Sequence, residues 1–142
     1  MSESTAGAAG LEGEVSCADD SRVDTYTAGL AKVGAGGELT FKLLSSEPAP
    51  PAKGGNTFEV SVEDAAGEAA TGDLRIELVM PDHGHGTQVT PVVTFDADTQ
   101  RFTIAPVYLF MAGVWRVDLA LYAVEAATKP RDRATYYFCI EG

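Results

Sequence analysis

The chain holds two histidines, His83 and His85, and two methionines beyond Met1, namely Met80 and Met111. Three of these four fall within Met80-Pro81-Asp82-His83-Gly84-His85, and the fourth within Phe110-Met111-Ala112-Gly113-Val114-Trp115. Chance would rarely concentrate so few residues of these types in this way. In an extended chain, positions i and i+2 face the same side, so His83 and His85 can present their imidazoles together across Gly84. Thioether sulfur is a soft ligand that selects Cu(I), while imidazole accepts both copper oxidation states. Zinc sites use thiolate, imidazole and carboxylate instead. The set points to copper before zinc, with Met80, His83, His85 and Met111 as metal ligands if the fold brings the two segments together. A structural reading stands beside it. Met80 is in phase with Leu74, Ile76 and Leu78, Met111 is in phase with Trp115, and the His-Gly-His stretch can be a loop whose imidazoles cap backbone groups.

Other chemistry is poorly represented. Asp96-Ala97-Asp98 has alternate carboxylates but lacks the remaining oxygen ligands of a calcium loop, and turn chemistry explains it better. Asp82 beside His83 has no nucleophile or second base linked to it by motif. No nucleophile elbow, phosphate-binding loop or dinucleotide fingerprint occurs. The expectation is a protein that is not an enzyme, with no catalytic residues. A net charge of −11 and a pI near 4.4 disfavour nucleic acid as a partner. They suit a metal ion or another cationic partner.

The elements that must position these residues read as strands. Period-2 alternation places Leu39, Phe41 and Leu43 on one face, and likewise Phe58, Val60 and Val62. Leu74, Ile76, Leu78 and Met80 form a third face, with Arg75 and Glu77 opposite. Val93 and Phe95 lead through a turn at Asp96–Gln100 into Phe102 and Ile104. Trp115, Val117, Leu119 and Leu121 make the longest face, and Tyr136, Phe138 and Ile140 the last. This predicts an all-β fold, an immunoglobulin-like two-sheet antiparallel β-sandwich of about seven strands. Trp115, Val117, Leu119, Phe58, Val60, Ile76 and Phe138 are expected between the sheets. Pro106 should force a bulge or strand switch. The Pro/Gly-rich stretch from Ser45 to Asn56 reads as a long loop or edge crossing.

The Ser/Ala/Gly-rich start predicts a disordered leader over 1–16, followed by a single domain over 17–142. No apolar run is long enough for a transmembrane helix. The first residues lack a signal-peptide pattern, so the expectation is that a native export signal has been removed and Met1 added for expression. Cys17 and Cys139 sit near opposite ends of the domain and do not form a CxxC motif. A disulfide between them is the simpler reading and implies an oxidising compartment. Two buried free thiols are the alternative.

The stretch Met80-Pro-Asp-His-Gly-His-Gly-Thr87, then Pro91, then Val107-Tyr-Leu-Phe-Met111-Ala-Gly-Val-Trp-Arg-Val117, resembles the YtkA-like domain, a relative of the FixH family. The resemblance spans roughly residues 55–140 and rests on two separated motifs in the right order. Ala112 departs from the proline of many members, which bears on the bend more than on a ligand. The resemblance implies an exported or membrane-tethered bacterial β-sandwich that is periplasmic or otherwise extracytoplasmic, and lipid-anchored in its native form. It implies copper handling, with a respiratory oxidase or another copper-handling protein as partner. Carried over residue by residue, it implies Met80, His83, His85 and Met111 as the functional set. The rival expectation is a metal-free immunoglobulin-like interaction or accessory module.

Overall fold

The computed structural model describes residues 17–142; the leader expected over 1–16 lies outside them. Nine strands form among the described residues. They are β1 (Leu30–Val33), β2 (Thr40–Glu47), β3 (Gly54–Glu63), β4 (Asp73–Met80), β5 (His85–Gly86), β6 (Val92–Asp96), β7 (Arg101–Leu109), β8 (Gly113–Tyr122) and β9 (Asp132–Ile140). One sheet runs β1-β2-β3-β7-β6 and the other β9-β8-β4-β5, with antiparallel pairing throughout. The fold is all-β, with two open sheets consistent with a β-sandwich.

The count is higher than the seven strands expected. The two additions are β1, a four-residue edge strand, and β5, a two-residue strand. The first alternates only between half-buried and exposed positions, with no buried residue to mark a core face, and the second is too short to show a period. The loop expected from Ser45 to Asn56 is shorter than its composition suggested. β2 continues through Glu47 and β3 starts at Gly54, so prolines interrupt the chain only between the strands. The side chain of the buried Asn56 helps close that loop. It accepts from the amide of Ala52 and donates to the carbonyls of Ala52, Gly54 and Val107.

The alternating faces pack as expected. Trp115, Val117, Leu119, Phe58, Val60 and Phe138 are buried between the sheets, whereas Ile76 is half-buried at the margin of the core. Met80 is completely buried. The register of β7 against β3 shifts between Asn56 and Phe58, opposite Pro106. This bulge moves the inward phase from Phe102 and Ile104 to Val107 and Leu109. Val93 and Phe95 enter β7 through the expected hairpin.

Cys17 and Cys139 are bonded, with Cα atoms 5.4 Å apart. The bond ties the segment before β1 to the last strand and fits an oxidising environment.

One buried carboxylate organises the opposite end. Asp132 is 5% exposed and accepts amide hydrogen bonds from Gly36, Glu38, Leu39 and Arg133. Burial alone would raise its pKa; the four amides outweigh burial and lower it. A lowered carboxylate stabilises the fold above its unfolded value of about 3.9 and loses that contribution as pH falls further, through the folded pKa. Asp132→Asn is therefore expected to be less stable at neutral pH and to lose less stability on acidification below about pH 4. Urea unfolding of both proteins across this range checks it; parallel acid profiles would assign the carboxylate no such role.

Candidate functional site

The hairpin from β4 to β5 begins with Met80, whose carbonyl accepts from the amides of His83 (3.0 Å) and Gly84 (2.9 Å). Gly84 takes a positive φ of 70°, which closes the turn at little steric cost. His83 and His85 are thus joined by a tight turn, not by the extended chain expected from their spacing. Their rings are nevertheless adjacent, with centroids 5.5 Å apart and a tilt of 49°. With metal–nitrogen bonds of about 2.0–2.1 Å, two imidazoles on one ion place their centroids roughly 5–6 Å apart. Both histidines are exposed.

Met80 pairs directly with His85, so both side chains project from the same side of the sheet. Met80 is sealed in the core, whereas its paired neighbour His85 is exposed. The two thioethers differ in depth, Met80 being completely buried and Met111 half-buried. The reason is position. Met80 continues the inward alternation of β4 after Leu78, whereas Met111 lies in the bend between β7 and β8 and is half-buried.

That bend is fixed by its neighbours. The Trp115 indole N–H donates to the Met111 carbonyl at 2.9 Å, and Phe110 meets Trp115 edge-to-face at 5.6 Å. Phe110 also stacks on His85, with centroids 5.8 Å apart and planes 24° apart. The histidine turn and the methionine bend therefore lie side by side at one end of the sandwich. Tyr108 extends the stack at 6.1 Å from Phe110. His85, Gly86, Gln88, Val89, Tyr108 and Phe110 line an open cleft of about 510 Å³ there.

Gly113 shows why the bend needs a glycine. Its φ is 135°, and a Cβ at this position would come 2.8 Å from the Met80 methyl. Gly113→Ala should both strain the backbone and displace the buried Met80 methyl, lowering stability by about 1–3 kcal/mol. Denaturant unfolding checks this. A neutral Ala variant would mean that the bend and Met80 are not in tight contact.

Asp82 is not free for acid–base work. Arg22 donates to both its oxygens, at 3.0 and 2.8 Å. This hydrogen bonding lowers the Asp82 pKa. The spacing of the histidine motif gave no sign of Arg22, which lies 60 residues away. Phe110 could have been read from its place beside Met111, but an aromatic there is equally a core residue. Asp96 acts in its turn as composition suggested, accepting from the amides of Asp98 and Thr99.

Among the described residues, no three His, Cys, Asp or Glu side chains are grouped to hold a metal. Both cysteines are in the disulfide, so the donors near the histidine pair include thioethers but no thiolate. That chemistry fits a soft cation such as Cu(I) better than zinc.

The sequence profile of the YtkA-like family matches residues 35–120, more than half of the chain. The match covers both motifs. It begins earlier than the resemblance estimated from them and stops short of β9. No curated protein and no solved structure gives a significant match.

Proposed function

The chain belongs to the YtkA-like family, and from that premise we propose that it is an extracytoplasmic copper-binding domain used for delivery, storage or sensing. One observation carries the reading. The imidazoles of His83 and His85 are adjacent, and His85 stacks on Phe110, the residue before Met111. His83 and His85 would supply nitrogen and Met111 sulfur, with Met80 as a second thioether. Bound copper is cargo, to be passed to a respiratory oxidase or another copper-handling protein. The disulfide is compatible with a periplasmic location, and lipid anchoring of the native form belongs to the same proposal.

Copper ligation requires neutral imidazole, so uptake should weaken on acidification. X-ray absorption of the Cu(I)-loaded protein tests the ligand set. The expected spectrum contains nitrogen and sulfur scatterers, and Met111→Leu removes sulfur intensity. A spectrum with nitrogen and oxygen alone would leave the thioethers without a role.

The full burial of Met80 favours the rival reading for that one residue. A buried methionine is well explained as packing. In the metal-free reading the motifs hold two bends together, and the cleft contacts a protein partner. Met80→Leu separates the two. A packing role predicts unchanged Cu(I) affinity, whereas a ligand role predicts its loss.

A further inference from the structure

We infer that Arg22 is a positioning residue for the histidine turn, and that the Cys17–Cys139 bond supports it through the strap formed by residues 17–24. The turn has little backbone pairing of its own. β5 contributes two paired positions, Val79 with Gly86 and Met80 with His85. A hairpin end with so short a ladder opens readily unless something else holds it.

The strap supplies the hold. At one end Cys17 is bonded to Cys139 on β9. At the other, the Asp24 amide donates to the Tyr137 carbonyl and the Tyr137 amide donates to the Asp24 carboxylate, each at 2.9 Å. Both ends of the strap are thus fastened to β9. Between them the Arg22 guanidinium bridges two carboxylates. It donates through Nε and Nη2 to Asp20 at 2.9 and 2.7 Å, and through Nη1 and Nη2 to Asp82 at 3.0 and 2.8 Å. Asp20 orients the planar guanidinium, and its free edge meets Asp82 with both oxygens engaged. Asp82 precedes His83, so the contact reaches the turn one residue from an imidazole. An ordinary exposed ion pair holds two flexible side chains and does little. Here the cation is held by a second carboxylate on a cross-linked strap, and the anion lies in a four-residue loop.

The test uses the metal-free, oxidised protein. Amide exchange is followed at His83 and Gly84, and the imidazole proton shifts of His83 and His85 by NMR. Arg22→Gln and Asp82→Asn should each raise exchange in the turn by about two- to fivefold. They should also shift the His85 ring protons, because the imidazole leaves the face of Phe110. Arg22→Lys keeps the charge but loses the fork and should fall between wild type and Arg22→Gln. Exchange in β2 and β3, on the other sheet, should not change. The Cys17→Ser/Cys139→Ser variant should show the same signature in the turn.

An unchanged turn in the Arg22 and Asp82 variants overturns the inference. An unchanged turn in the disulfide variant removes the strap from it. The consequence for copper rests on the proposed function. Cu(II) affinity should fall by the same two- to fivefold in Arg22→Gln. Wild-type protein that takes up no copper counts against the proposed function, while the exchange data still decide whether Arg22 positions the turn.

Discussion

Trp115→Ala is expected to lower the unfolding free energy by about 3–5 kcal/mol, the cost of truncating a large buried aromatic. Trp115 is fully buried on β8, the strand that pairs with both β4 and β9 in the four-stranded sheet. Its ring packs against Phe110, and its indole N–H satisfies the Met111 carbonyl. The substitution removes the apolar volume and also leaves that carbonyl without its partner, which adds to the penalty. Urea unfolding of the oxidised protein at neutral pH, with the slope compared between variants, is the appropriate measurement. Trp115→Phe separates the two contributions, since it fills most of the space but cannot donate. A loss below about 1 kcal/mol for Trp115→Ala would mean that the bend does not depend on the indole.

His83→Ala/His85→Ala should abolish Cu(II) binding with little effect on the fold. Both rings are exposed, and surface substitutions away from special features usually change stability by no more than about 0.5 kcal/mol. The turn itself is closed by backbone bonds to Met80 and by Gly84, neither of which the substitutions remove. Binding and stability should therefore separate cleanly. Loss of Met111 sulfur should weaken Cu(I) more than Cu(II), because thioether favours the softer ion. Equal losses for both ions would argue against sulfur ligation.

The sandwich was legible because alternation is long and regular in most strands. Leu39 to Leu43, Phe58 to Val62 and Trp115 to Leu121 each display a buried face that the sequence alone identifies. Pro106 marked the bulge that shifts the phase of β7. Short edges were not legible, since two residues at His85–Gly86 carry no period. The pairing of Cys17 with Cys139 followed from their number and placement. In the candidate site, the concentration of His and Met in two motifs was visible, but their depth was not. Met80 and Met111 look alike in sequence. One continues an inward strand face and the other sits in a bend, and only the fold distinguishes them. The Arg22 contact had no local signal at all, because it depends on where a disulfide-anchored strap crosses the surface.

The most direct measurement is an equilibrium titration of the oxidised wild-type protein with Cu(II) against a competing chelator, run beside His83→Ala/His85→Ala. The expected result is one equivalent taken up by the wild type and none above background by the double variant. Equal uptake by the two proteins, or none by either, would contradict a copper site built on the histidine turn.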